Sequence, residues 1–67
     1  MNINIFSKID DKGNTYWTAT FDKVPEVIGG GSTPQKALKE GLKNLKYFKK
    51  YLKEINKWIV IVKSVEN

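Results

Sequence analysis

The strongest structural signal in the chain lies in residues 33–62, which read TPQKALKEGLKNLKYFKKYLKEINKWIVIV. Thr33 is a good N-cap, and Pro34 suits the first position of a helix. The apolar spacing that follows predicts one amphipathic helix from Pro34 to about Ile55, with an apolar stripe formed by Leu38, Leu42, Leu45, Phe48, Leu52 and Ile55. Gly41 lies within this stripe, where we expect it to let the helix approach a sheet closely.

Residues 58–62, WIVIV, follow this helix and predict a strand. A run this apolar predicts burial on both faces. A helix of roughly 20 residues is about 30 Å long, and a strand of about nine residues has a similar length. We therefore expect the last strand to run back along the helix.

The residues before the helix predict a hairpin and a short third strand. Apolar and polar residues alternate over 2–9 and 15–21, on either side of the turn-forming sequence DDKGN. Pro25 interrupts this pattern because it cannot donate to a central ladder, and residues 26–29 can form a third strand. The three glycines of 29–31 predict a sharp bend into the helix.

The element order is therefore β-β-β-α-β, an α+β fold with one sheet and one helix packed on one of its faces. We expect one domain over residues 1–67, because a chain this short holds only one core. The predicted core consists of Ile3, Ile5, Trp17, Phe21, Leu38, Leu42, Leu45, Phe48 and Leu52.

Composition excludes several chemistries. The chain has no Cys and no His, which removes disulfides, the usual zinc and copper sites, thiol nucleophiles and histidine bases. Neither the glycines of 29–31 nor the seven acidic residues form a known phosphate or metal motif. We expect no cofactor, no metal and no enzymatic activity. The absence of a signal peptide and of a long apolar run predicts a cytoplasmic protein that does not enter a membrane.

A single helix can cover only one face of the predicted sheet. The other face carries Phe6, Tyr16, Thr18 and Thr20, joined either by Ile59 and Ile61 or by Trp58, Val60 and Val62. We take Val60 as the candidate contact from the last strand. An uncovered face this apolar favours association with a protein over exposure to solvent. We expect a homodimer or a protein partner there, with nucleic acid as the second choice.

Lysines follow the predicted helix at spacings of three and four residues, at positions 36, 39, 43, 46, 50, 53 and 57. All twelve basic residues of the chain are Lys, and the net charge is +5. The stripe is either a solvated face in a lysine-rich composition or a binding surface. As a binding surface it would contact an acidic protein, or failing that a nucleic-acid backbone, through Lys39, Lys43, Lys46 and Lys50.

The segment from Phe21 to Ala37 resembles the N-terminal domain of HicB-family antitoxins. That family carries F-P-D-L-P-G, a short strand, and then G-D-T-x-E-E-A at the start of a helix. The matching residues here are Phe21, Pro25, Gly31, Thr33 and Ala37. The resemblance implies a partial ribonuclease-H-like fold with sheet order 3-2-1-4, without the DNA-binding module that usually follows in the family.

The resemblance also implies a domain that binds and neutralises a small RNA-cleaving toxin without catalysing a reaction. Gln35 and Lys36 stand where the family has two glutamates, so the start of this helix differs in charge. Two alternatives remain open. One is a nucleic-acid-binding module that uses the basic helix, and the other is a stand-alone, phage-type inhibitor of another enzyme.

Overall fold

The computed structural model describes residues 2–48 and 57–63. Four strands and one helix follow one another along the chain: β1 (Asn2–Ile9), β2 (Thr15–Phe21), β3 (Ile28–Gly31), α1 (Pro34–Leu45) and β4 (Ile59–Lys63). The strands form one mixed sheet in the order β3-β2-β1-β4. β1 is antiparallel to β2 and parallel to β4, and β2 is antiparallel to β3. The α+β fold, the element order and the sheet order 3-2-1-4 are all confirmed.

The turn between β1 and β2 forms around one aspartate. The Asp10 carboxylate accepts hydrogen bonds from the backbone N–H groups of Lys12 at 2.9 Å and Asn14 at 2.8 Å. Gly13 has a φ of 82°, a conformation that side-chain-bearing residues rarely adopt. This local network fixes the hairpin register, in which Ile5 aligns with Ala19 and Ile3 with Phe21.

The third strand lies two residues later than the sequence predicted. Residues 22–27 form turns instead, and they bury Val24 and Val27 in the core. The glycines of 29–31 were predicted to form a bend but lie inside β3. The physical reason is close packing, because a Cβ added at Gly29 would collide with the α1 backbone at Ala37 and Gly41. Gly41 is the helix residue in this contact, so its predicted role in the close approach of the helix to the sheet is confirmed.

The helix begins as predicted. The Thr33 hydroxyl accepts the backbone N–H of Lys36 at 3.1 Å, and Pro34 occupies the first turn. It ends at Leu45 rather than near Ile55, and residues 46–48 continue as turns. The Phe48 N–H donates to the Leu45 carbonyl at 2.8 Å, a tightening that often closes helices. Residues 49–56, including Leu52 and Ile55, lie outside the described part of the chain.

The core lies between α1 and the sheet. It contains Ile3, Ile5, Ala19, Phe21, Val24, Val27, Ala37, Leu45 and Trp58, with Trp17, Leu38, Leu42 and Phe48 partly buried against it. Trp58 precedes β4, and its ring meets that of Phe21 edge to face at a centroid distance of 6.0 Å.

The predicted burial of the last strand on both faces is wrong. Ile59, Val60 and Val62 are exposed by 62%, 46% and 52%. β4 is an edge strand, and α1 packs mainly on β2 and β3 at the opposite side of the sheet.

Candidate functional site

The face of the sheet that α1 does not cover is the main candidate site. Strand register places Phe6 beside Thr18, Lys8 beside Tyr16 and Asn4 beside Thr20. These residues alternate with Ile3, Ile5, Ala19 and Phe21, which are buried under the helix. We call this surface the open face, and its members are Asn4, Phe6, Lys8, Tyr16, Thr18, Thr20, Ile28, Ile59, Ile61 and Lys63.

The predicted arrangement of side chains on the uncovered face of β1 and β2 is therefore correct. Phe6, Tyr16, Thr18 and Thr20 do share one face, as expected from strict alternation. Of the two alternatives for β4, the strand register places Ile59 and Ile61 on this face, and the choice of Val60 is wrong. Val60 aligns with Ile3, whose side chain lies under the helix, so Val60 belongs to the covered side. Ile59 and Ile61 align with Asn2 and Asn4 and supply the open face instead.

Four members of the open face had no role in the sequence prediction: Asn4, Lys8, Ile28 and Lys63. Ile28 aligns with Thr20 and is 54% exposed. Its orientation follows from its neighbour, because Gly29 must face the α1 backbone and the next side chain along a strand points to the opposite face. The sequence prediction included Ile28 in a third strand over residues 26–29 but assigned it to neither face of the sheet.

The open face has an aliphatic end and an end that combines aromatic rings with lysines. Ile28 and Ile59 lie toward the aliphatic end, where Asn4 also donates a side-chain hydrogen bond to Asp22 at 2.7 Å. At the other end, the Lys8 ammonium lies 5.5 Å from the centre of the Phe6 ring, and Lys63 aligns with Phe6 from β4. Tyr16 extends this end and is 42% exposed.

A shallow depression of about 270 Å³ lies between β1 and β4. Its lining consists of Asn4, Ile5, Phe6, Ile61 and Lys63. This lining combines apolar groups, the Phe6 ring, one amide and one ammonium group. Such a surface can accept a projecting apolar side chain of a partner.

The lysine stripe lies on the other side of the molecule. Lys36, Lys39 and Lys43 are exposed on α1, and Lys46 is exposed at its C-cap. These positions lie opposite the buried residues Ala37, Gly41 and Leu45 on the helix circumference. Because α1 ends at Leu45, the helical part of the stripe that the structure describes runs from Lys36 to Lys46. Lys50 and Lys53 lie outside the described residues.

Within residues 2–48 and 57–63, no group of three acidic residues comes together in a way that could hold a metal ion. In the same part of the chain, no helix is long and apolar enough to cross a membrane. Comparison with protein-family models, with curated proteins and with solved structures finds no match to this chain.

Proposed function

We propose that this protein is a non-catalytic binding module whose open face seats a protein partner. We further propose that the partner is a small RNA-cleaving toxin, as the resemblance to HicB-family antitoxins implies. The observation that carries the proposal is the exposure of large apolar side chains on one uncovered sheet face, led by Ile59, Ile28 and Tyr16. Several large exposed apolar side chains on one sheet face are typical of association sites.

The residues that match the HicB-family motif have structural roles in this protein, so they support a similar fold more than a similar function. Phe21 and Ala37 are buried in the core, and Thr33 caps α1. A Cβ at Gly31 would lie 2.6 Å from the Lys36 Cβ. Each of these residues therefore stabilises the junction of β2, β3 and α1. The proposed function depends on the open face, which lies on the opposite side of the sheet from this junction.

The two ends of the open face suit different parts of an interface. The aliphatic end provides apolar area that becomes dry on contact, as in the centre of protein interfaces. The lysines of the other end stay at the rim, where charges guide association and contribute little affinity each. The rings of Phe6 and Tyr16 lie at this end beside the lysines, and aromatic residues are enriched among the residues that dominate binding energy.

The test uses the purified small protein encoded by the reading frame next to this protein's gene. We expect this protein to bind it and to inhibit its RNA cleavage. The double variant Tyr16→Lys and Ile28→Lys should weaken binding at least about tenfold, or about 1.4 kcal/mol, because it places two charges in the apolar contact. The matched control is Tyr47→Lys, since Tyr47 is 87% exposed after α1 and does not belong to the open face.

Calorimetric titration measures the binding constants, and circular dichroism checks that each variant is folded. Equal binding by the open-face variant and the control contradicts the proposed site. The adjacent gene product could instead be an enzyme that does not cleave RNA. If this protein inhibits that enzyme through the open face, the result supports the stand-alone inhibitor and not the antitoxin.

Nucleic acid is the second candidate partner, and one contact favours it. The Lys8 ammonium over the Phe6 ring, with Lys63 beside it, places positive charge next to a surface on which a base can stack. The basic side of α1 is a separate surface that could contact a phosphate backbone. Titration with single-stranded and duplex RNA at low and physiological salt distinguishes these cases, and binding that survives physiological salt would favour the nucleic-acid function.

A further inference from the structure

The two edges of the sheet are protected to different degrees. β3 forms one edge, and α1 lies against it. The Asn44 side chain donates a hydrogen bond to the Ile28 carbonyl at 2.7 Å, and Gly29 touches the helix backbone at Gly41. β4 forms the opposite edge, and among the described residues no helix or strand lies along its outer side. The unpaired backbone groups of such an edge are a template for pairing with another strand.

The sequence of β4 lacks the features that usually prevent edge pairing. It reads IVIVK, with one charged residue at its end and no proline. Exposed apolar side chains project from both of its faces, with Ile59 on the open face and Val60 and Val62 on the side of the helix. A strand with this composition is typical of a sheet interior, although it lies at the edge of this one.

We propose that β4 joins two copies of this chain, pairing antiparallel with β4 of the second copy. A two-fold symmetric contact requires each strand to face its own equivalent in the opposite direction. Centred on Ile61, this pairing sets Val60 opposite Val62 of the partner subunit, and Ile59 opposite Lys63 of the partner subunit. At the centre of the strand pair, apolar side chains of one copy therefore face apolar side chains of the other.

Charge favours this arrangement over stacking two open faces. In the centred register, the Lys63 residues of the two copies lie at opposite ends of the strand pair, about 13 Å apart along the strands. Stacked open faces would instead bring Lys8 and Lys63 of both copies into the same contact region, in a chain whose net charge is already +5. Removing charges from water without partners is costly.

The edge contact also leaves the open face accessible. Two four-stranded sheets would become one eight-stranded sheet, with both open faces on the same side because the two-fold axis is perpendicular to the sheet. A strand of five residues gives a small interface, so we expect weak association rather than an obligate dimer. The dimer would present two partner sites next to each other.

Two charge variants test the pairing. One carries Val60→Glu with Val62→Glu, and the other carries Val60→Lys with Val62→Lys. Because both positions are about half exposed, we expect the variants to fold, and circular dichroism and thermal melting check this. In the proposed register, residue 60 of one copy faces residue 62 of the other. Each variant alone should therefore associate at least about tenfold more weakly, and an equimolar mixture should recover the dimer.

Sedimentation equilibrium over a concentration series measures the association of the 7.7 kDa chain with itself. Ile28→Lys, on the open face, is the control and should leave self-association unchanged. A parent chain that stays monomeric at every concentration overturns the proposal. So does a mixture of folded variants that fails to recover the dimer. Loss of the dimer in Ile28→Lys, with the valine variants unaffected, would assign the contact to the open face and also overturn it.

Discussion

Gly29 and Gly30 are neighbours in β3, and the structure predicts opposite responses to the same substitution. The three atoms nearest to a Cβ at Gly29 would all be helix backbone, including the Gly41 Cα at 2.6 Å, so Gly29→Ala must push α1 away from the sheet. A Cβ at Gly30 would point to the open face, where the nearest atom is the Trp17 carbonyl oxygen at 3.7 Å. Neither glycine has a positive φ, so alanine fits the backbone conformation at both positions.

The size of the effect follows from these contacts. Overpacking a core costs about 1–3 kcal/mol, and we expect the upper end for Gly29→Ala because backbone cannot rotate away as a side chain can. For a domain of this length, 1 kcal/mol corresponds to a shift of about 4–8 °C, so a loss of 3 kcal/mol lowers Tm by roughly 12–24 °C. Gly30→Ala should change stability by less than about 1 kcal/mol and can raise it, because alanine restricts the unfolded chain.

Thermal unfolding followed by circular dichroism and by calorimetry measures both variants under one set of conditions. The reasoning is refuted if Gly29→Ala melts within a few degrees of the parent protein. It is also refuted if Gly30→Ala is destabilised as strongly, since the loss would then come from β3 itself and not from the contact with α1.

Three other variants test separate parts of the structure. Thr33→Ala removes the cap of α1 and should cost about 1 kcal/mol in urea unfolding, whereas no loss would contradict the observed helix start. Trp58→Ala removes the ring that packs on Phe21 and should cost about 3–5 kcal/mol, and a small loss would place Trp58 outside the core. The third variant carries Lys39→Glu, Lys43→Glu and Lys46→Glu, which reverse the charge at three exposed positions. It should leave Tm unchanged or raise it, and it should reduce RNA binding at low salt if the helix contacts phosphates. Unchanged RNA binding would make this side of the helix a solvated surface.

Local sequence signals predicted the elements whose stability is mainly local. Alternation in 2–9 and 15–21 predicted both strands of the hairpin and the sides on which Phe6 and Tyr16 lie. The Thr33 and Pro34 pair predicted the start of α1. These features depend on neighbouring residues, so one sequence is enough to read them.

The errors arise where tertiary packing decides the outcome. The apolar spacing in the sequence continues to Ile55, but α1 ends at Leu45. The helix is therefore about 18 Å long, and over this length it packs on the sheet. The glycines of 29–31 have no local preference for a strand, and the closeness of α1 explains their place in β3. Tertiary contacts of this kind override local preference.

In the candidate site too, some residues could be assigned from local sequence and others depended on tertiary packing. The residues from β1 and β2 could be assigned because a hairpin fixes their relative orientation. β4 follows a long crossover, and its orientation depends on the register with β1, which places Val60 with Ile3 and Ile61 with Asn4. A shift by one residue exchanges the two faces of a strand, and the sequence held no signal for that register.

The central claim is that the open face binds the partner protein. The most direct measurement is a nuclear magnetic resonance titration of the labelled protein with the small protein encoded by the adjacent reading frame. We expect amide signals to change around Phe6, Tyr16 and Ile28, while those around Lys39 and Lys43 stay in place. Changes confined to the lysines of α1, with the open face unaffected, would contradict it.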